Sequence, residues 1–142
     1  MTDHRRRALE VSDATYAAWN AHDADAVAAV FAEDAVTREA GSSEIAVGRD
    51  AVRERAARLF LAFPDFRLQR QALVIDGPCH ADRWVMTGTH QGELFGIAPT
   101  GRSVRVEGAT FTVMNDDGLV AEDYHYMDVA GLLTQLEVGL TG

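Results

Sequence analysis

The sequence has little of what would staple, ligate or anchor it. A single cysteine, Cys79, allows no intrachain disulfide, and a reducing cytoplasm is the expected compartment. Apolar runs stay short, Leu59 to Phe63 being typical, against the roughly 20 residues of a membrane span, so a soluble protein with no membrane association is expected. The basic triplet Arg5-Arg6-Arg7 has no apolar stretch after it, so no secretory signal is read. Positive charge is scarce: Lys plus Arg total 13 against 22 Asp plus Glu, a formal charge of −9. Such a field repels phosphate backbones, and nucleic acid is not an expected partner. The sequence also lacks His-Glu-x-x-His, any Cys/His cluster, Gly-x-Gly-x-x-Gly, a Walker loop and a Gly-x-Ser-x-Gly elbow. With no metal site or cofactor expected, a cofactor-free reaction or plain ligand binding is left.

What is present is enough apolar material for one core. At 142 residues and 47% hydrophobic content, the chain reads as a single domain over 1–142. Between Leu9 and Ala21, Ala8, Ser12, Thr15, Tyr16 and Trp19 share one helical face. A short helix follows, with Asp25 as its expected N-cap and Val27, Val30 and Phe31 as its buried stripe. Ala35 to Glu39 reads as a short strand and Gly41 to Gly48 as a loop. From Arg49 to Phe63, Val52, Ala56, Leu59, Phe60 and Phe63 repeat at helical spacing, and Pro64 stops the helix.

After Pro64 the period changes to two, giving strands near 66–75, 79–92, 102–115 and 119–127. Asp76-Gly77-Pro78 and Asp116-Asp117-Gly118 are tight-turn sequences, so consecutive strands are expected to pair antiparallel. Asp128 can cap a last helical turn carrying Val129, Leu132, Leu133 and Leu136. The order of elements is α+β: a twisted, curved antiparallel sheet, with the N-terminal helices on its concave face and a small-molecule pocket between them.

The last strand holds the strongest candidates for chemistry. Alternation puts Asp123, His125 and Met127 on one face and Glu122, Tyr124, Tyr126 and Asp128 on the other. An imidazole titrating near neutrality beside a carboxylate is a general-base pair, with His125 as proton shuttle and Asp123 orienting it. The competing reading is a solvated polar face. Arg55 falls on the apolar stripe of the third helix, where a guanidinium needs an anion: Asp123, Glu107 or a substrate oxygen that gains charge. Trp19 with Thr15 and Tyr16, and Trp84 with Met86, would give an aromatic lining for a hydrophobic ligand, although aromatic residues at such spacing are often plain core. His90 shares a strand face with Trp84 and Met86 if no bulge intervenes.

The stretch Gly88-Thr89-His90-Gln91-Gly92-Glu93-Leu94-Phe95-Gly96-Ile97-Ala98-Pro99-Thr100-Gly101-Arg102, with Asp117-Gly118, the end from Asp128 to Leu136, and Trp19-Asn20 and Gly48 upstream, resembles the SnoaL-like polyketide cyclase family. The resemblance implies a nuclear transport factor 2-like (cystatin-like) cone, a homodimer or homotetramer, and a deep pocket. It also implies cofactor-free acid/base chemistry, ring closure or isomerisation, on a polycyclic or ketide-like substrate. The family's acid/base aspartate falls on His125, and its neighbouring strand histidine on Asp123, so acid and imidazole are exchanged. Its first-helix tyrosine falls on Trp19, its third-helix asparagine on Arg55, and its second histidine near Thr110 or Phe111. These departures leave open an epoxide-opening or hydroxylation-type reaction, for which Arg105, Glu107, Arg55 and Asp123 would be the polar set, or a non-catalytic ligand-binding or dimerisation domain.

Overall fold

The computed structural model describes residues 3–138. Ten elements follow in order: α1 Asp3–Asn20, α2 Ala24–Ala29, β1 Phe31–Glu39, β2 Ile45–Val47, α3 Arg49–Ala62, β3 Arg67–Asp76, β4 Cys79–Thr89, β5 Ser103–Met114, β6 Val120–Met127 and α4 Val129–Gln135. Among the described residues, no helix is long and apolar enough to cross a membrane. The fold class is as the sequence implies, α+β with helices packed on a curled sheet.

The helix α1 starts earlier than its apolar face requires, because the charged residues of its first turns sit in solvent, with Arg6 pairing Asp3 at 2.8 Å. Asp23, not Asp25, caps α2: its carboxylate accepts from the Ala26 N–H at 3.0 Å, whereas Asp25 lies two residues on, inside the first turn, and binds Arg53. Val30 and Phe31 therefore fall outside the helix, and β1 begins at Phe31 rather than Ala35. The expected loop from Gly41 to Gly48 contains the short strand β2, which pairs antiparallel with β1. Asp128 caps α4 as expected, accepting from the Gly131 N–H at 2.9 Å.

The sheet order is β2-β1-β6-β5-β4-β3. The four long strands form the expected antiparallel meander, and β1 adds parallel to β6. A bulge between Arg70 and Ala72 in β3 increases the local twist. Two buried clusters form against the sheet. One gathers Phe63, Phe66, Trp84, Met86, Val106 and Leu132; the other gathers Val27, Phe31, Val52, Ala56 and Val120. Trp19 and Phe60 pack against both, so the apolar filling is continuous at one end of the sheet. Between α1, α3 and the inward face of β4, β5, β6 and β1 a cavity remains.

Candidate active site

The cavity wall is built by strand register. Thr37, Asp123, Thr112 and His80 are direct partners across β1, β6, β5 and β4, and all four line the cavity as one polar row. Two residues along, Glu39, His125, Thr110 and Asp82 form a second row. A third row, Met127, Gly108 and Trp84, is apolar. The alternation of each strand sends every second side chain inward, so these polar groups converge only because four strands share one register. Tyr16 and Trp19 of α1, Val52, Arg55 and Leu59 of α3, and Phe66, Leu68 and Met86 complete the lining. The void measures about 130 Å³. That is near the ~150 Å³ of a cavity that takes benzene and below the ~300 Å³ of ordinary drug-sized pockets, so a single substituted ring fits and a polycycle enters only if the walls part.

Asp123 and His125 are held by a chain of hydrogen bonds. The Trp84 indole N–H donates to Thr110 Oγ1 at 3.0 Å, and that hydroxyl lies 3.0 Å from His125 Nδ1. His125 Nε2 is 3.3 Å from Asp123 Oδ2, and the Thr112 hydroxyl donates to Asp123 Oδ1 at 2.7 Å. Indole is a donor only, so Thr110 accepts from it and has its own proton to give to Nδ1. His125 Nε2 faces the Asp123 carboxylate as a close imidazole–carboxylate contact. Both side chains are withdrawn from solvent, 17% exposed for His125 and 8% for Asp123.

Asp82 brings a second carboxylate to the same wall, and the Tyr16 hydroxyl donates to its Oδ2. Burial raises the Asp82 carboxyl above the ordinary carboxylate range; the Tyr16 hydrogen bond opposes this and Asp123 adds to it. Burial also raises the Tyr16 phenol, reinforced by Asp82. At the rim, Arg70 lies over the Tyr16 ring, 5.7 Å from its centre, and donates to Ser12 Oγ at 2.6 Å and Asp13 Oδ1 at 3.0 Å. Arg55 reaches the wall from α3 and pairs with Glu39, not with Asp123 or Glu107. Burial lowers its guanidinium, with Glu39 and then Asp123 opposing, and the group stays cationic. Among the described residues, no three His, Cys, Asp or Glu side chains are arranged to hold a metal ion.

The structure thus brings together Asp123, His125, Arg55, Tyr16, Trp19, Trp84 and Met86 around one void. Two expected lining residues lie elsewhere. His90 has the right strand parity, but β4 ends at Thr89 and His90 turns under the loop that follows. It is fully buried against Phe63, with Nδ1 accepting from the Thr100 N–H at 3.2 Å. Phe111 has the parity opposite to Thr110 and Thr112, so it stands on the outer face, 41% exposed and 6.1 Å from the Tyr124 ring. Arg105 and Glu107 pair with each other at 3.2 Å in solvent, again on the outer face of β5, and cannot join Arg55 and Asp123. Sequence reasoning passed over His80, Asp82, Thr112 and Thr37. The first two were accessible: carrying the Trp84–Met86 face two and four residues back along β4 reaches both.

Solved structures share this architecture. A SnoaL-like polyketide cyclase candidate from Jannaschia sp. CCS1 superposes with a TM-score of 0.87 at 18% identity, covering 98% of this chain and 97% of that one. AclR from Streptomyces galilaeus, a candidate hydroxylase, gives 0.82 at 26% identity, covering 95% and 83%. IdmH from Streptomyces antibioticus, a candidate polyketide cyclase, gives 0.75 at 28% identity, covering 92% and 98%. No curated protein matches the chain in sequence. The family model for the SnoaL-like polyketide cyclases matches residues 9–136, and with nearly the whole chain so matched and its fold shared, the chain belongs to that family.

Proposed function

We propose that the protein is a cofactor-independent enzyme that moves a proton at a carbon next to a carbonyl, closing a ring or isomerising a small, hydrophobic, ketide-like substrate. The observation that carries this reading is the Asp123–His125 pair, tied by Thr112 and Thr110 into the wall of an otherwise largely apolar cavity. Excluding water around such a pair strengthens each electrostatic interaction it makes.

Thr112 holds one oxygen of Asp123 and the residue lines the cavity, so the carboxylate keeps lone pairs open to a ligand. In this reading the carboxylate takes the proton from carbon, while His125 and Thr112 hold it in place; the work is divided in reverse of the expectation from sequence. Arg55, held at the cavity wall by Glu39, lends its positive field to the carbonyl oxygen on which charge grows. For ring closure, the enolate carbon bonds to a second carbonyl carbon and the proton held on Asp123 goes to the new alkoxide. For isomerisation, it returns to a different carbon.

A panel of small aryl ketides, turned over in water labelled with heavy oxygen and followed by mass spectrometry, tests this. Ring closure or isomerisation leaves no enzyme-dependent label in the product. Enzyme-dependent label would replace it with water addition, the second reading, which the two carboxylates Asp82 and Asp123 on the cavity wall favour. Binding without turnover across the panel would leave a ligand-binding site.

A further inference from the structure

One imidazole in the cavity has no task in the proton transfer. His80 stands at the end of the first polar row, beside Thr112 and across it from Asp123. It is only 5% exposed, lines the void, and its Nδ1 is buried without a hydrogen-bond partner. At the other end of the row Thr37 is in the same condition, 6% exposed with its hydroxyl oxygen unpartnered. Buried polar side chains in folded proteins are nearly always satisfied, and one left open costs the desolvation of that group. Here the two open groups share a row with Asp123 and line the same cavity.

We propose, building on the proton-transfer reading for the ligand's general class, that His80 is the ligand-recognition residue of this cavity and accepts a hydrogen bond from the hydroxyl of a phenol or enol, with Thr37 serving a second oxygen on the far side of Asp123. The charge pattern selects a neutral hydroxyl over a carboxylate. Asp123 lies in the same row and Asp82 two residues along β4, whereas the cation on the wall, Arg55, is already paired with Glu39. An anion brought to His80 would face two carboxylates, and a hydroxyl brings a donor where acceptors predominate. Burial holds the imidazole below its ordinary value, with Asp123 opposing, so the ring is neutral and keeps a lone pair to accept with. The size of the void sets the ligand at one ring in this part of the cavity.

Titration of protein labelled with nitrogen-15 in its histidines, using p-cresol and toluene as probes of equal ring size, tests this. p-Cresol is expected to bind more tightly than toluene and to move the His80 ring-nitrogen signals. In His80→Leu, p-cresol is expected to bind about three- to tenfold more weakly, the worth of one neutral hydrogen bond, with toluene binding unchanged. The proposal is overturned if neither probe binds, if p-cresol binds no better than toluene, if the His80 signals stay still when it binds, or if a folded His80→Leu protein binds it as the wild type does. Should His80→Leu not fold, the wild-type titration decides alone. Because binding is read and not turnover, failure of the proton-transfer reading in Asp123→Asn leaves this result separately readable.

Discussion

Trp84 and Gly108 are cross-strand partners on β4 and β5, and the indole lies over the glycine where a Cβ would collide with the far edge of its ring. This close approach lets the Trp84 N–H reach Thr110 and start the chain that ends on Asp123. Gly108→Ala must displace the ring or the strand. A loss of about 1–3 kcal/mol in unfolding free energy, typical of overpacking, is expected in denaturant titrations, together with a red-shifted Trp84 fluorescence as the indole leaves its site.

Thr110 is the only bridge between Trp84 and His125 in that chain. Thr110→Val keeps the shape and removes the hydroxyl, leaving the indole N–H and His125 Nδ1 without their partner. A destabilisation of about 1–3 kcal/mol is expected. Activity is also expected to fall in this variant, since His125 loses the hydroxyl that holds its ring; unchanged activity would separate Thr110 from the catalytic unit.

Asp82 and His80 give pH-dependent stability of opposite sense. A carboxyl whose folded pKa lies above its unfolded value, about 3.9, binds more protons in the folded state, so its contribution declines as pH rises through that window. Asp82→Asn still accepts from Tyr16, and its stability relative to wild type is expected to improve as pH rises above the unfolded value. An imidazole held below its unfolded value, about 6.5, binds fewer protons when folded, so stability is lost as pH falls below that value. His80→Leu is expected to flatten this acid-side loss. Urea midpoints of both variants across pH check the two signs independently.

Much of the site was legible from period and turn chemistry. The change of period after Pro64 marks the meander, and alternation in β6 places Asp123, His125 and Met127 inward and the tyrosines outward. Alternation fails at His90 because it says nothing of where a strand stops: Thr89 ends β4, held by the Asp65 carboxylate on its N–H at 2.6 Å. The partner of Arg55 was beyond reach for a different reason. Glu39 comes to it through the parallel pairing of β1 with β6, a contact between distant parts of the chain that no local pattern encodes. The polar rows are likewise a product of register among four strands, each of which supplies two of their residues.

With Asp123 as the base, His125 acts by supporting that carboxylate, so its loss is expected to be graded. His125→Gln, which can still donate toward Asp123, is expected to retain more activity than His125→Ala, and the latter to fall by about 10²–10⁴, as for loss of an acid/base partner. Equal activity in both variants and the wild type would remove His125 from the mechanism.

Proton abstraction from carbon can be followed without the natural substrate. Phenylacetone fits a one-ring cavity, and exchange of its protons next to the carbonyl in heavy water is read by NMR. Wild-type protein is expected to accelerate this exchange, and Asp123→Asn to lower the enzyme-dependent rate by about 10²–10⁴ while keeping its fold. Exchange in Asp123→Asn as fast as in the wild type, or none above buffer with either protein, would contradict Asp123 as the base.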